Sequence, residues 1–524
     1  MQSEPKPGSA ANESVWAATA KMPACSSLKE NTTADVCIVG AGIAGLTTAY
    51  LLTQAGKSVV TLDDGPLAGG ATQVTTAHLS NALDDRYFVI ERLHGEEGAR
   101  LAAESHTLAI DRVDAIVKRE KIDCDFERLD GYLFLPPGEN VEFLDRELAA
   151  AHRAGLNDVK KLQRAPLQSF DTGPCLRFPN QGQFHPLKYL AGIAKAIERD
   201  GGRLFTETHA DQIAGGAPAQ VKAGNHVITA GAVVVATNAP INDLVVIQTK
   251  QAPYITYGIG ARVPRDSVAK ALYWDTLDPY HYIRLHHLND GGTIINEPHS
   301  GDLLIVGGED HKTGQATDAQ ERHARLEAWA RERFPMMGQV EFTWAGQVME
   351  TIDGLAFIGR NPLDKDNVFV VTGDSGMGMT HGTIAGILLT DLILGRENTW
   401  AKLYDPSRKT LRAAGEYAQR ALNMAVQYTD WITGGDVSSA DEIAPNSGAV
   451  LRRGLTKVAL YRDEKRALHA YSAVCPHLGC IIDWNATEKT WDCACHGSRF
   501  EKRGDVINGP ANKGLVPMES TPQP

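Results

Sequence analysis

The stretch DVCIVGAGIAGLTTAYLLTQAGKSVVTLDD, residues 35–64, decides the fold of the larger part of this chain. An apolar run leads into Gly40, Gly42 and Gly45, and the residues that follow put Ile43, Leu46 and Tyr50 on one face of a helix. A second apolar run at 59–62 ends on Asp63 and Asp64. Three glycines alone are weak evidence, because a tight turn also uses them. Between a strand and a helix, however, they let backbone N–H groups and the positive helix end face a pyrophosphate, and an acid about 20 residues further on meets a ribose. The expected phosphate contacts are Gly40, Gly42, Ile43, Ala44 and Gly45; Asp63 is the expected ribose ligand, with Asp64 as the alternative.

Working outward, this unit begins an α/β body running to about residue 396, with further apolar runs at 232–236, 303–306 and 368–371. Residues 1–34 are polar, carry three prolines and read as a tail with one short docked turn around Trp16. Leu411, Ala414, Tyr417, Ala421, Met424 and Tyr428 form one helical stripe, which places a helical linker over 397–441. The polar TGGDVSSADE at 433–442 breaks it. Beyond lie short alternating runs, TKVALY at 456–461 and ALHAYSAV at 467–474, separated by the turn-prone DEK at 463–465, which read as antiparallel strands of a small β domain over 442–524.

The 524 residues suggest about three domains at roughly 150 residues each. Hydrophobic residues make up 43% and charged residues 22%, as in soluble globular proteins. A net charge of -12 argues against a protein that tracks nucleic-acid phosphates. No apolar run reaches the roughly 18 residues of a membrane span, and the first thirty residues lack a secretory layout, so a cytoplasmic location is expected.

Cys25, Cys37, Cys124 and Cys175 are scattered, whereas the other four cysteines crowd into CPHLGC at 475–480 and CACHGS at 493–498. Each box offers cysteine and histidine. Two thiolates on one iron and two imidazoles on the other are what a mixed-ligand 2Fe-2S centre needs. A zinc site could use two of each but leaves two cysteines unexplained.

The pattern CxHxGC followed by CxCHGS closely resembles the Rieske family, over about 442–515 and including SRF at 498–500 and NGPA at 508–511. The resemblance implies a 2Fe-2S cluster held by Cys475, His477, Cys493 and His496, and a disulfide between Cys480 and Cys495. It also implies a hydrogen bond from Ser498 to a cluster sulfur, while Phe500 stands where high-potential members carry tyrosine. VTGDSGMGMTHG at 371–382 resembles the second flavin-contacting loop of the D-amino-acid oxidase superfamily, a likeness covering 35–396. It implies a Rossmann-like FAD-binding domain (about 35–100, 180–250 and 345–396) with an antiparallel-sheet substrate domain between its parts, joined to an all-β Rieske domain. FAD would meet Gly70 and Thr72 at its phosphates, Thr237 near the adenosine, and Gly376, Gly378, Met379 and Thr380 at the ring. No nicotinamide domain is evident. His78 is close enough in sequence to keep a covalent flavin link open.

Tyr254, Tyr257, Tyr273, Trp274, Tyr280, His281 and Tyr282 make residues 251–285 unusually aromatic. A wall over the flavin for a small organic donor is one reading, and sheet packing must account for about half of them. His185 is a further candidate. In the superfamily an arginine forks onto the substrate carboxylate; on the strand WAGQVMETIDG at 344–354, Gln347 stands in its place with Glu350 and Asp353 beside it, which favours an ammonium or secondary amine. Arg284 is the substitute cation should one be needed. The expected catalytic side is therefore Tyr254, Tyr257, His281, Tyr282, Gln347 and Glu350.

The activity implied is oxidation of a small amine or amino-acid-like donor by hydride transfer to flavin. Single electrons would then leave through the cluster to a ferredoxin, a cytochrome or a quinone. Two alternatives remain: a ferredoxin-fed reductase or oxygenase-like enzyme with electrons entering at the cluster, and a non-catalytic redox sensor or docking scaffold.

Overall fold

The computed structural model describes residues 13–519 except 137, 243–246, 288–300, 317, 416, 417, 419–421, 424–426 and 432. At its centre the strand Thr32–Val39 runs parallel to Val59–Leu62 on one side and to His226–Val235 on the other. Residues 36–39, 59–62 and 232–235 are buried throughout, as a parallel sheet covered on both faces requires. Phe357–Arg360 and Val368–Thr372 extend the sheet beyond His226–Val235, and Arg203–Phe205 closes the other edge. Two helices, Ile43–Gln54 and Gly378–Ile393, lie against each other: a Cβ on Gly382 would meet the Ile43 side chain at 2.6 Å and one on Gly386 the Thr47 side chain at 2.5 Å. Small residues thus let the N-termini of both helices open into the same cavity.

A second sheet of nine strands stands beside the first, with Val340–Thr351 at its edge, followed by Gln251–Pro264, Gly301–Lys312, His281–His287 and Leu272–Asp275. Pairing is antiparallel among these five strands, and Leu272–Asp275 joins Glu127–Phe134 in parallel. One face packs on the helix Ala319–Arg333 through a core that includes Tyr257, Tyr273, Ile283, Leu326 and Ala330. The other looks into the cavity, and there Thr256 and Tyr282 join hydroxyls at 2.6 Å. Among the described residues no helix is long and apolar enough to cross a membrane.

The turn expected around Trp16 is a five-residue helix, Val15–Thr19, and more of the segment is docked than the sequence suggested. Trp16 is fully buried, donates from Nε1 to the Thr75 carbonyl at 2.6 Å, and lies over the Arg284 guanidinium and against His185 and His286. Cys25 and Leu28 hydrogen-bond to Thr206 and Thr208.

Tyr417, Ala421 and Met424 of the stripe expected over 411–428 lie outside the described residues, and Ala414 is exposed. Upstream of it Arg408 reaches back to Asp353 with bonds of 2.6 and 2.8 Å, so the connection is pinned to the body. The C-terminal domain contains a three-stranded sheet (Ser447–Arg453, Thr456–Arg462, Leu468–Ser472) and a four-stranded one (Ile482–Asn485, Thr490–Cys493, Arg499–Glu501, Val506–Asn508), all antiparallel.

Candidate functional site

A cavity of about 510 Å³ runs from the glycine turn, between the two sheets, to the C-terminal domain. At the turn, Gly40 has φ +103° and a Cβ there would overlap the Ala236 carbonyl; one on Gly45 would overlap the Gly40 carbonyl. Only glycine fits either place. The helix Ile43–Gln54 offers its N-terminus to the cavity, with Gly42, Ile43 and Ala44 in the lining. Thr72 Oγ1 accepts from the Ile43 N–H at 3.1 Å, and Gly70 lies beside it. Asp63 accepts from the N–H groups of Ala41 and Gly65 at 2.7 and 2.9 Å, which fixes its carboxylate at the end of its strand. Asp64 is exposed and lies 3.5 Å from His209. Thr237 lines the same end. This arrangement of glycine turn, helix end and oriented carboxylate fits the phosphates and ribose of FAD.

Toward the other end Gly376, Gly378 and Met379 line the cavity. Thr380 turns away, donating to the Met377 carbonyl at 3.1 Å, and is not part of the lining; His381 and Gly382 are. His78 also lines it, 3.2 Å from Thr76 Oγ1 and 3.3 Å from the Ile283 carbonyl, and burial drives its pKa down to about 3. Those contacts are the ones a satisfied wall residue makes.

Alternation along the strands divides the expected aromatic residues. Tyr280, Tyr282 and Trp274 line the cavity. His281 points the opposite way, bonded to Asp275 at 2.8 Å and stacked on Trp329 at 4.1 Å, whereas Tyr257 bonds His311 at 2.8 Å, packs in the core under the helix Ala319–Arg333 and also contributes to the cavity lining. Tyr254 is half-buried, in register with Val348. His185 caps the helix Pro186–Arg199, and Arg284 spends its guanidinium on the carbonyls of Thr76, Ala77 and Phe184 beneath Trp16. Neither residue is in the cavity lining.

The acidic side differs from expectation. Asp353 is taken by Arg408 and Thr410, away from the cavity. Gln347 donates to the carbonyl of Gly497 in the second cysteine box at 2.9 Å. Glu350 lies near enough to Tyr280 for its charge to raise that phenol. The acids that meet here come from elements the sequence did not connect. Asp84 accepts from the Tyr280 hydroxyl at 3.2 Å and abuts Gly376, where a Cβ would overlap its carboxylate. Asp374 accepts from the Met349 N–H, and Asp310 lies by Thr256 with its Oδ1 buried and without a hydrogen-bond partner. Burial raises Asp84, lifts Asp374 to about 6 and Asp310 to about 7. No residue spacing pointed to Asp84 or Asp310, since tertiary packing alone assembles them.

In the C-terminal domain the two boxes face each other. The thiols of Cys475 and Cys493 hydrogen-bond, the rings of His477 and His496 stand 4.8 Å apart, and Cys480 is disulfide-bonded to Cys495. Three cysteine sulfurs cluster near this bridge, but two of them are the disulfide itself, so the donors left for a metal centre are the expected four. Both ring nitrogens of His496 are buried without a hydrogen-bond partner, which leaves one open to ligate a metal. These residues fit a 2Fe-2S cluster with mixed ligands. Ser498 bonds Cys475 and accepts from the Ala511 N–H at 3.0 Å, and Phe500 is fully buried nearby.

The comparisons agree with this geometry. Residues 35–392 match the family of FAD dependent oxidoreductases (DAO), and residues 435–519 match the Rieske [2Fe-2S] domain. A relative in Bacillus subtilis (strain 168), YhfW, named as a Rieske 2Fe-2S iron-sulfur protein, is 31% identical over 97% of this chain and 98% of its own. Gamma-glutamylputrescine oxidoreductase of Escherichia coli (strain K12) is 28% identical over 76% of this chain and 94% of its own. Glycine oxidase from Geobacillus kaustophilus has the same fold over 72% of this chain and all of its own, with a TM-score of 0.59 at 19% identity.

Two outcomes follow from the site. Asp310 keeps its proton to about pH 7 in the folded protein but loses it near pH 4 when unfolded. The stability this allows is complete below about pH 4 and is lost as pH rises through 7. Asp310→Asn should therefore raise the denaturation midpoint at pH 8 and leave it nearly unchanged at pH 4. At the cluster, Ser498→Ala should lower the midpoint potential by removing a hydrogen bond to a ligand sulfur, and Phe500→Tyr should raise it. Protein-film voltammetry reads both, with about two irons per chain in each variant.

Proposed function

The chain belongs to the FAD dependent oxidoreductase family and ends in a Rieske [2Fe-2S] domain, and on that premise we propose that it oxidises a small cationic amine, with the electrons leaving singly through the Rieske centre. The observation that carries the donor class is the carboxylate of Asp84, held against the flavin loop at Gly376 and bonded by Tyr280, in a cavity lined by no arginine except Arg499 among the described residues. Arg499 is itself occupied by Asp492 and Glu488. An α-carboxylate thus finds no free forked partner, whereas an ammonium finds an acid. The name of the Escherichia coli relative, which refers to a glutamylated diamine, supports the same class.

When bound, FAD supplies the hydride acceptor and the cluster a one-electron carrier. The protein's own residues do the rest. Asp84 fixes the ammonium and, its pKa raised by burial, can take the proton that the nitrogen must lose. The donor gives up that proton and a hydride and becomes an imine. Trp274, Tyr282 and His78 wall the cavity and keep water from the reacting carbon. The one-electron acceptor is a ferredoxin, a cytochrome or a quinone, met in the cytoplasm.

Anaerobic mixing with a series of amines, followed by flavin absorbance, tests the reading. Simple amines should bleach the flavin faster than the matching α-amino acids. Asp84→Asn should raise KM for a cationic amine about 30-fold, the effect of leaving a charge unpaired at about 2 kcal/mol. A preference for amino acids that survives Asp84→Asn contradicts the proposal.

A further inference from the structure

Gln347 stands on the edge strand Val340–Thr351, in register with Ile255, while its neighbours Gly346 and Val348 point to the opposite face. On that opposite face Gly346 meets Val74, in the short helix Ala71–Val74 beside the phosphate turn. Gln347 is buried, belongs to the cavity lining and reaches the C-terminal domain: Nε2 donates to the Gly497 carbonyl at 2.9 Å and to Thr313 Oγ1 at 3.3 Å. Gly497 follows His496 and has φ +83°, and a Cβ there would lie 2.7 Å from Gln347 Nε2 and would also strike Pro253. Gly314, at φ +71°, makes a second approach of the same kind, since a Cβ on it would lie 2.8 Å from the backbone nitrogen of Ala494, between Cys493 and Cys495. Gly314 therefore lets the second cysteine box touch the flavin body backbone to backbone, and Gly497 lets the Pro253 and Gln347 side chains close on it. The two cluster histidines are unequal in consequence. His496 is 2% exposed on this side, whereas His477 is half-buried next to the exposed Pro476.

We propose that Gln347 is a positioning residue that holds the His496 side of the cluster loop against the strand walling the flavin cavity, and that electrons pass between the two sites through this contact. The inference rests on the reading above, in which flavin and cluster act in series. One donor molecule releases two electrons as it becomes an imine, and a centre that carries one electron at a time must be filled and emptied twice. Two molecules of a one-electron acceptor are reduced in each cycle. A neutral amide suits the place, because two hydrogen bonds fix it without adding a charge between the centres.

Gln347→Met tests this, since it keeps length and volume and removes both hydrogen bonds. The bound flavin is reduced by laser-flash photoreduction with deazaflavin and oxalate as the sacrificial electron donor in place of the amine, so that failure of the amine reading would not affect the outcome, and cluster absorbance is followed. Cluster reduction should slow by about tenfold, as for a misplaced reactive pair. Flavin photoreduction, iron content and the electron paramagnetic resonance spectrum of the reduced cluster should stay as in the wild type. Gly314→Ala presses on the same loop from a different residue and should slow the same step. A wild-type cluster rate in Gln347→Met overturns the proposal. So does loss of iron from that variant, which would make the glutamine a support for cluster assembly rather than for transfer.

Discussion

The hydrogen bond from Gln347 to the carbonyl of Gly497 joins two domains whose cofactor sites would otherwise be independent. Its consequences run in both directions along the chain. It goes with glycine at Gly497, where a side chain would strike Pro253 and Gln347 itself, and at Gly314, where one would strike the backbone of Ala494. It also gives the domain contact an orientation, with His496 fully buried and His477 half-buried. Further contacts set the angle: Asn512 donates to the carbonyls of Ala210 and Asp211, and His209 bonds the Asn512 carbonyl at 3.2 Å. The C-terminal domain thus covers the nucleotide end of the cavity with one segment and presents its cluster loop to the substrate sheet with another.

The same economy shapes the flavin body. Two helix N-termini can open onto one cavity only because Gly382 and Gly386 let the helices Ile43–Gln54 and Gly378–Ile393 touch. Burial raises three carboxyl groups, Asp84 and Asp374 in the cavity lining and Asp310 beside Thr256. Holding buried acids without a neutralising partner lowers stability at neutral pH, a cost that is expected of a binding site.

How much of this was legible in the sequence follows from distance along the chain. The glycine turn and both cysteine boxes are local patterns, so their residues could be named and their fold inferred before any coordinates. The aromatic run over 251–285 was read as a wall with about half of its rings in sheet packing, without saying which half, although period-2 alternation already separates Tyr280 and Tyr282 from His281. Gln347 was noticed because an arginine was missing there, and its partner lies 150 residues away in another domain, beyond the reach of any spacing argument. Asp353 was misassigned for the same reason, since Arg408 claims it from 55 residues further on. Asp84 carries no pattern at all. A loop acid becomes a site only when Tyr280 and Gly376 are folded against it.

The central claim is that the flavin and the cluster exchange electrons within one chain across the docked loop. The most direct measurement mixes the anaerobic protein with less than one equivalent of a reducing amine and follows flavin and cluster absorbance at several protein concentrations. The account predicts that cluster bleaching follows flavin reduction at a rate independent of protein concentration. A rate that rises in proportion to concentration would mean that electrons travel between molecules, and would contradict it.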